Sequence, residues 1–215
     1  MADRAAEPPS NCTLCPRLSA FRDTNRHSFP DFFNAPVPSF GPCSARLLVV
    51  GLAPGLKGAN RTGRPFTGDY AGETLYPGMS RVGSAGGPSG VRPDDGLELV
   101  DTMVTNAVRC VPPENKPMGQ EMAACRPFLA ARIAALPQLR VILALGRIAH
   151  DNTLKALGAR LKDFPFAHGA EHAVGGLTLI DSYHCSRYNV NTGRLTEAMF
   201  QAIAERLAAY LAPDA

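Results

Sequence analysis

The sequence contains no long apolar run. Although 45% of its 215 residues are hydrophobic, no stretch reaches the roughly 20 apolar residues of a membrane-spanning helix. The N-terminal segment is polar and lacks the apolar core of a secretory signal. We therefore expect a cytoplasmic chain without membrane partners or disulfides, organised as a flexible tail over residues 1–10 and one domain over residues 11–212.

The sequence is also low in net charge and lacks two nucleotide-binding motifs. A formal net charge of +3 at pH 7 does not by itself indicate a nucleic-acid partner. The Gly-Lys-Ser/Thr end of a phosphate-binding loop is missing, and so is the GxGxxG pattern of dinucleotide-binding folds. These absences argue against a nucleoside triphosphatase.

Cysteine, by contrast, is present in a pattern that carries information. Cys12 and Cys15 form a CxxC motif, whereas Cys110 and Cys125 lie far along the chain. Two such half-sites can share one centre only if the fold brings them together. Iron–sulfur clusters tolerate wide ligand spacing, while structural zinc usually takes two tight pairs within one small module. The spacing leaves three possibilities open: a four-thiolate iron–sulfur cluster, a zinc site, or unrelated buried cysteines.

Apolar runs rich in β-branched residues alternate with helical patterns along the chain. The runs at residues 46–52, 103–108, 140–145 and 177–182 are typical of buried strands. Helices are predicted at residues 118–136, 146–157 and 195–211, the first with Cys125 on its apolar face. This alternation predicts an α/β class: a single-domain α/β/α sandwich with a central, mainly parallel four-stranded sheet.

Two stretches are predicted to be loops. Residues 77–93 are rich in Gly, Ser and Pro without periodicity, which indicates a long surface loop. Residues 51–69 are dense in glycine and begin where the first predicted strand ends. Because ligands of open α/β sheets bind beyond the carboxyl ends of the strands, this second loop is a candidate pocket wall.

Several motifs together resemble one enzyme family. They are Gly-Ala-Asn-Arg-Thr-Gly-Arg-Pro-Phe-Thr-Gly-Asp at 58–69, Thr-Asn-Ala-Val-Arg-Cys at 105–110, Ser-Tyr-His-Cys-Ser-Arg-Tyr-Asn at 182–189, and the two cysteine pairs. In this order they resemble the family 5 (UDGb-type) uracil-DNA glycosylases, over Cys12 to about Leu211. The related family 4 enzymes carry an acidic residue where this chain has Leu52, which favours family 5.

The resemblance implies a reaction and a cofactor. Such enzymes rotate uracil, and in some cases hypoxanthine or another deaminated base, out of DNA and hydrolyse its bond to deoxyribose, leaving an abasic site. The family also implies a structural 4Fe-4S cluster held by Cys12, Cys15, Cys110 and Cys125. We expect a monomeric, bacterial, nucleoid-associated repair enzyme whose partner is DNA.

The resemblance assigns base-binding roles to three residues. Phe66 matches the family's stacking aromatic, Asn106 matches the amide that pairs with the uracil edge, and Gly51 lets the backbone approach the base. An amide can donate to uracil O4 while it accepts from N3, which favours uracil over cytosine. Without the resemblance, a core phenylalanine and a turn asparagine are the commoner uses of these residue types.

Two further residues match catalytic positions. His184 is expected to donate to uracil O2 as negative charge develops there. Asp69 is expected to orient or deprotonate the attacking water, or to offset the positive charge on the sugar. A loop-capping aspartate is the alternative interpretation of Asp69. The family's usual Pro after the histidine is replaced here by Cys185, which removes a rigid turn residue.

A local basic rim around these motifs is the predicted DNA contact. Because phosphate contacts position a protein without reading sequence, arginines near the pocket are its natural members. The residues in question are Arg61, Arg64, Arg187, Asn189 and Arg194. Arg187 and Asn189 are also candidates for filling the gap left by the extruded base, although ordinary solvated side chains remain the alternative.

Two competing functions belong to other classes. A non-catalytic iron–sulfur or zinc protein would leave the Asp69, Asn106 and His184 motifs without a role. A protein that binds uracil-containing DNA without turnover is the other competitor. One branch of the superfamily forms a covalent adduct through an Arg-rich insertion, but here Tyr70-Ala-Gly-Glu-Thr follows Asp69 directly. We therefore predict turnover.

Overall fold

The structure, a computed structural model, describes residues 6–87 and 92–212. Its strands are β1 (Leu47–Gly51), β2 (Ala85–Gly86), β3 (Glu98–Leu99), β4 (Thr102–Asn106), β5 (Val141–Leu145), β6 (Glu171–Val174) and β7 (Leu177–Ser182). Its α-helices are α1 (Pro16–Ser28), α2 (Ala59–Thr62), α3 (Tyr70–Ser80), α4 (Gly119–Ala134), α5 (Arg147–Ala156), α6 (Arg187–Asn191) and α7 (Glu197–Leu211). None of these helices is long and apolar enough to span a bilayer.

The main sheet has five strands in the order β4-β1-β5-β7-β6. The four predicted strands are confirmed, and they run parallel to one another. The predicted number of strands is wrong by one, because β6 adds an antiparallel edge strand next to β7. This strand is short and carries Glu171 and His172, so it lacks the apolar run that marks the others.

The hairpin between β6 and β7 did leave a signal in the sequence. Gly175 and Gly176 connect the two strands, and both have positive φ angles, 59° and 82°. Two consecutive residues in this conformation form the tight turn that suits a hairpin, and glycine adopts it without steric cost. A Gly-Gly pair before a strand therefore predicts the missing partner.

Alternate residues of the central strand face opposite layers of helices. Leu47 and Val49 pack with side chains of α3 and α7 in one core cluster. Leu48 and Val50 pack with side chains of α4 and α5 in the other. Because successive strand residues point to opposite faces, the apolar run of β1 serves both cores. The predicted α/β/α sandwich is confirmed.

The predicted helices are confirmed, whereas the long loop is shorter than expected. In α4, the residues Cys125, Leu129 and Ile133 lie on the buried face, as their spacing predicts. The loop expected over 77–93 begins later than predicted, because α3 extends to Ser80. Within this stretch, Ala85–Gly86 pairs with Glu98–Leu99 in a small second sheet. Four residues of that loop, 88–91, lie outside the described part of the chain.

The prediction of a flexible tail at residues 1–10 is wrong for the residues from Ala6 onward. Ala6 is buried, and the Glu7 carboxylate accepts hydrogen bonds from Arg109 Nη1 and Arg132 Nη2, each at 2.7 Å. Buried guanidinium groups need an anionic partner, and this carboxylate supplies one. The segment is therefore packed against the domain, while residues 1–5 lie outside the described residues.

Candidate active site and cysteine centre

The predicted site residues gather at one edge of the main sheet. Gly51 ends β1, Asn106 ends β4, and His184 follows the end of β7. These strands are parallel, so their carboxyl ends open on the same side of the molecule. The sheet topology, rather than closeness in sequence, brings the three residues together.

Gly51 lies between the Phe66 ring and the Asn106 amide. A Cβ atom at Gly51 would overlap the Phe66 ring and would stand 2.5 Å from Asn106 Oδ1. No side chain larger than hydrogen fits there without moving both neighbours. The need for glycine at the end of β1 is therefore steric.

Phe66 adopts an unusual backbone conformation at this point. Its φ angle is 51°, which a bulky residue rarely adopts, and the strain must be compensated by its surroundings. The ring is largely buried and belongs to the core cluster of α3 and α7, yet its centroid lies 6.2 Å from that of His184. Phe66 thus packs in the core and borders the histidine at the same time.

Asn106 and His184 are both without polar partners. Within residues 6–87 and 92–212, no hydrogen bond engages the Asn106 side-chain amide or either ring nitrogen of His184. Asn106 is only 4% exposed, and enclosed polar groups are normally hydrogen-bonded. Both groups are therefore available to a ligand at this sheet edge.

His184 is uncharged at neutral pH. Burial of the imidazole lowers its pKa from 6.5 to about 4. The backbone around it is held by Asn189, whose amide donates to the His184 carbonyl at 2.8 Å, and by Gly146, which allows close approach to the His184 Cβ. A neutral imidazole offers one N–H donor and one acceptor to the site.

A cavity of about 290 Å³ opens beside His184. Leu52, which follows β1, shares it with Asn189 and Arg194. Leu145, Gly146, Arg147, Ile148, Phe166 and Tyr183 complete its lining. Of the predicted site residues, His184, Asn189 and Arg194 line this cavity, whereas Gly51, Phe66, Asp69 and Asn106 do not.

Asp69 caps a helix and faces the glycine loop. Its Oδ1 accepts from Gly72 N at 3.4 Å, which makes it the N-cap of α3, as the alternative interpretation predicts. Its other oxygen lies over the turn of Gly55 and Gly58, where a Cβ on Gly58 would overlap the carboxylate. Burial raises the pKa of Asp69 above its usual value, although backbone hydrogen bonds oppose this.

Cys185 connects Asp69 with the histidine segment. The Cys185 side chain is fully buried, and burial raises the pKa of its thiol to about 12. The Asp69 carboxylate adds to this rise, so the two groups are near enough to interact. Asp69 therefore lies close to the segment that carries His184.

The four predicted cysteine ligands converge on one pocket. Cys12, Cys15, Cys110 and Cys125 all line it, and each is a free thiol. Burial raises the pKa of Cys15 to about 11 and that of Cys110 to about 12, with the neighbouring cysteines adding to both. Thiols that raise one another's pKa in a closed pocket favour a bound cation, which ligates the thiolate form.

Paired charges surround the cysteine pocket. Arg17 forms two hydrogen bonds with the Glu121 carboxylate, at 2.7 and 2.8 Å, and so ties α1 to α4. The backbone N–H of Arg109 donates to Cys125 Sγ at 3.4 Å, and its buried side chain is bound by Glu7. The N-terminal segment, α1 and α4 are thus locked around the four thiols.

Comparison with known proteins identifies the family. Residues 38–208 match the family described as the Uracil DNA glycosylase superfamily. The chain belongs to this superfamily. It is 46% identical over 206 residues to the type-5 uracil-DNA glycosylase of Thermus thermophilus, covering 92% of this chain and 94% of the relative.

Two other type-5 relatives cover similar lengths. The enzyme of Pyrobaculum aerophilum is 39% identical over 203 residues, 93% of this chain and 88% of its own. That of Mycobacterium bovis is 40% identical over 203 residues, 90% of this chain and 76% of its own. The predicted membership of the type-5 uracil-DNA glycosylases is confirmed.

Only part of the predicted basic rim is exposed to solvent. Arg61, Arg187 and Arg194 are exposed. The Arg187 guanidinium lies 5.4 Å from the Tyr70 ring centroid, and that of Arg194 lies 4.7 Å from the Tyr183 ring centroid. Stacking of this kind fixes a guanidinium while leaving its charge at the surface.

The expectation that Arg64 contacts DNA is corrected by its surroundings. Its guanidinium is buried, binds both oxygens of Asp95 at 2.9 and 3.0 Å, and donates to Thr67 Oγ1 at 2.7 Å. A guanidinium satisfied in this way has no free edge for phosphate. Arg64 braces the glycine loop against the segment that contains Asp95.

Sequence reasoning missed the segment after β5. Gly146, Arg147 and Ile148 line the cavity, and Arg147 and Ile148 are exposed. The signal was available, because this segment follows the carboxyl end of a predicted parallel strand, as the glycine loop does. Phe166, an aromatic lining residue, carried no comparable signal, whereas Tyr183 lies within the motif at 182–189.

Proposed function

We propose that this chain extrudes uracil from DNA and hydrolyses its N-glycosidic bond, leaving an abasic site. One observation carries the proposal: in a type-5 family member, the Asn106 amide and the His184 imidazole are both unpartnered at the same sheet edge. Preformed polar groups without internal partners provide binding free energy to a ligand that pairs with them.

The proposed recognition of uracil uses three neighbouring residues. The Asn106 amide donates to uracil O4 and accepts from its N3–H, so a cytosine, which presents the opposite pattern, is disfavoured. The Phe66 ring supports the base by stacking, and Gly51 leaves the space that a side chain would fill. Extrusion costs least for a mispaired base, so uracil opposite guanine is the preferred substrate.

In the proposed chemistry, His184 stabilises the negative charge on uracil and Asp69 offsets the positive charge on the sugar. As the bond to the sugar breaks, the neutral imidazole donates to uracil O2 and stabilises the developing anion in a site largely free of water. The Asp69 carboxylate orients the attacking water and offsets positive charge on the sugar. Its second role as the N-cap of α3 fixes the carboxylate in place.

The proposed DNA surface is the exposed rim of Arg61, Arg187 and Arg194. Arg194 lines the cavity, and the stacked guanidinium groups of Arg187 and Arg194 are suited to contact phosphates near an extruded nucleotide. Asn189 is reassigned from a DNA contact to a positioning role, because its amide binds the His184 carbonyl. We expect the enzyme to act as a monomer and to accept hypoxanthine or another deaminated base in the same pocket.

The proposed cofactor is a 4Fe-4S cluster held by Cys12, Cys15, Cys110 and Cys125. The convergence of the four thiols on one pocket and their mutual electrostatic interaction support it. When bound, the cluster serves as a structural brace, because glycosidic hydrolysis transfers no electrons. A protein purified without oxygen should be brown and contain about four irons per chain; a colourless, zinc-loaded protein would contradict the cluster.

The decisive experiment is a glycosylase assay. A labelled duplex with one U·G pair is incubated with the enzyme and then treated with alkali, which cleaves the strand at abasic sites. We expect a nick at the uracil position and none in a matched T·G duplex. An intact U·G strand at equimolar enzyme, with the duplex retained in a gel shift, would instead indicate binding without turnover.

A further inference from the structure

A second group of metal-binding side chains lies away from the cysteines. His150 on α5, His172 on β6 and Asp181 on β7 place their ligand atoms within 4.8 Å of one another. His150 and Asp181 are fully enclosed, and the His172 side chain is 11% exposed. Within the described residues, this is the one group of three such side chains at that spacing.

The contacts of His150 require a proton or a metal ion between His150 and Asp181. Its Nε2 lies 2.9 Å from the Phe164 carbonyl oxygen, which can only accept, so Nε2 carries a proton. In a neutral ring, Nδ1 then presents a lone pair. That lone pair faces Asp181 Oδ1 at 2.7 Å, and two acceptors cannot approach so closely without a proton or a metal ion between them.

The donor set and its support match those of a zinc site. Two imidazole nitrogens and a carboxylate are common zinc ligands. The Phe164 carbonyl also holds the far nitrogen of His150, which is how ligating histidines are usually oriented. The Asp181 carboxylate reaches both rings, with Oδ2 at 3.3 Å from His172 Nε2.

An ion can reach this group from the surface. β6 is the edge strand of the main sheet, and the His172 side chain is the partly accessible member. The group joins three elements that otherwise meet only through backbone pairing and apolar packing. Asp181 precedes His184 by three residues, so an ion here would also fix the start of the catalytic segment.

We propose that His150, His172 and Asp181 form a binding site for a divalent ion of the zinc type, separate from the cysteine centre. The ligand atoms are His150 Nδ1, His172 Nε2 and the Asp181 carboxylate oxygens that face them. The proposal does not depend on the assignment of the uracil-excision chemistry or of the cluster.

The test uses the intact, cluster-loaded protein. It is stripped with a chelator, checked for an unchanged cluster spectrum, and titrated with Zn2+ alone. We expect stoichiometric zinc uptake by elemental analysis. The thermal midpoint should rise by about 5–10 °C when free zinc is 100-fold above its dissociation constant.

Matched variants decide the assignment. Asp181→Asn and His172→Gln should lose both the zinc and the thermal shift, whereas His27→Gln, which changes an exposed histidine on α1, should keep both. If Asp181→Asn does not fold, His172→Gln at the sheet edge decides alone. No zinc uptake by the unaltered chain, or equal uptake by His172→Gln, would overturn the proposal and leave a proton-bridged pair.

Discussion

The cysteine pocket and the base site lie at the two ends of the segment from Asn106 to Cys110. They differ in whether their polar side chains have partners within the protein. Around the cysteines, the charges of Arg17, Glu121 and Glu7 are paired by short hydrogen bonds. At the base site, Asn106 and His184 have no polar partner among the described residues. The carboxylates near the cysteines are bound by arginines, although Arg109 Nε and Nη2 have no hydrogen-bond partner there. Asn106 and His184, by contrast, are available to a ligand.

This difference assigns stability to one region and binding to the other. Satisfied buried groups stabilise the fold, whereas unsatisfied ones destabilise it until a ligand pairs with them. The connection is direct: Ala107 and Val108, between Asn106 and the cysteine segment, donate backbone hydrogen bonds to Gly51 and Leu52. The paired region therefore holds the unpaired one in position.

The largest effect is expected for Asp69→Asn. Asparagine caps a helix about as well as aspartate, so the change removes the charge and keeps α3 intact. We expect the single-turnover excision rate to fall by about 100- to 10,000-fold while the affinity for uracil-containing DNA is retained. Because the pKa of Asp69 is raised, the acid side of the rate profile should also lie at higher pH than for an ordinary aspartate.

Asp94→Asn serves as the control for this variant, since Asp94 is an exposed aspartate that pairs only with Arg92 among the ion pairs of the described residues. It should leave the rate unchanged. An Asp69→Asn enzyme with an unaltered rate would remove Asp69 from the chemistry and leave it only as a helix cap.

His184→Ala should lower the excision rate by about 100- to 1,000-fold, the usual effect of losing one preorganised donor. With a pKa of about 4, the imidazole stays neutral above pH 6, so it should add no pH dependence to the rate there. Rates measured from pH 6 to 9 check this point. An additional rate step near pH 6.5 that disappears in His184→Ala would contradict a neutral donor.

The same histidine gives a stability prediction. Because burial lowers the folded pKa, the unfolded chain takes up the proton first as pH falls from 6.5 to 4, and stability falls in that window. The loss is at most about 3 kcal/mol and is reduced by partial exposure of the ring. Urea unfolding at several pH values should show a smaller acid loss in His184→Asn.

Glu7→Gln tests the paired region. The variant removes the carboxylate that binds both Arg109 and Arg132. We therefore expect the free energy of unfolding to fall by about 3 kcal/mol. The rate of the folded enzyme at 25 °C should change little. Glu114→Gln, at an exposed pair, is the control, and equal urea midpoints for the two variants would refute the anchoring role.

The smallest effects are expected at the rim. Arg194→Ala should weaken DNA binding several-fold and reduce the salt dependence of the affinity by about one phosphate contact. Arg64 is buried against Asp95, so Arg64→Met should lower the free energy of unfolding and leave the salt dependence of DNA binding unchanged. If Arg64→Met had the larger effect on the salt dependence, the buried assignment of Arg64 would be wrong.

Much of the fold could be predicted from the sequence because its signals are local. The parallel strands are marked by apolar runs, and the helix that carries Cys125 by its periodicity. The edge strand β6 was missed because it is short and partly polar, so burial does not select its residues. The position of Arg64 was also mispredicted, since an arginine near a pocket motif can turn inward when a partner such as Asp95 lies elsewhere in the sequence.

The sequence by itself determined the family, the order of the central strands along the chain and the residue types able to pair with uracil, because these depend on motifs and on spacing along the chain. Only the tertiary structure decided which of those residues are free. Whether Asn106 keeps its amide unpaired, Asp69 also caps α3, or Glu7 binds two buried arginines depends on neighbours that are distant in sequence. Burial makes those neighbours matter, because a polar group enclosed by protein must find its partner there or wait for a ligand.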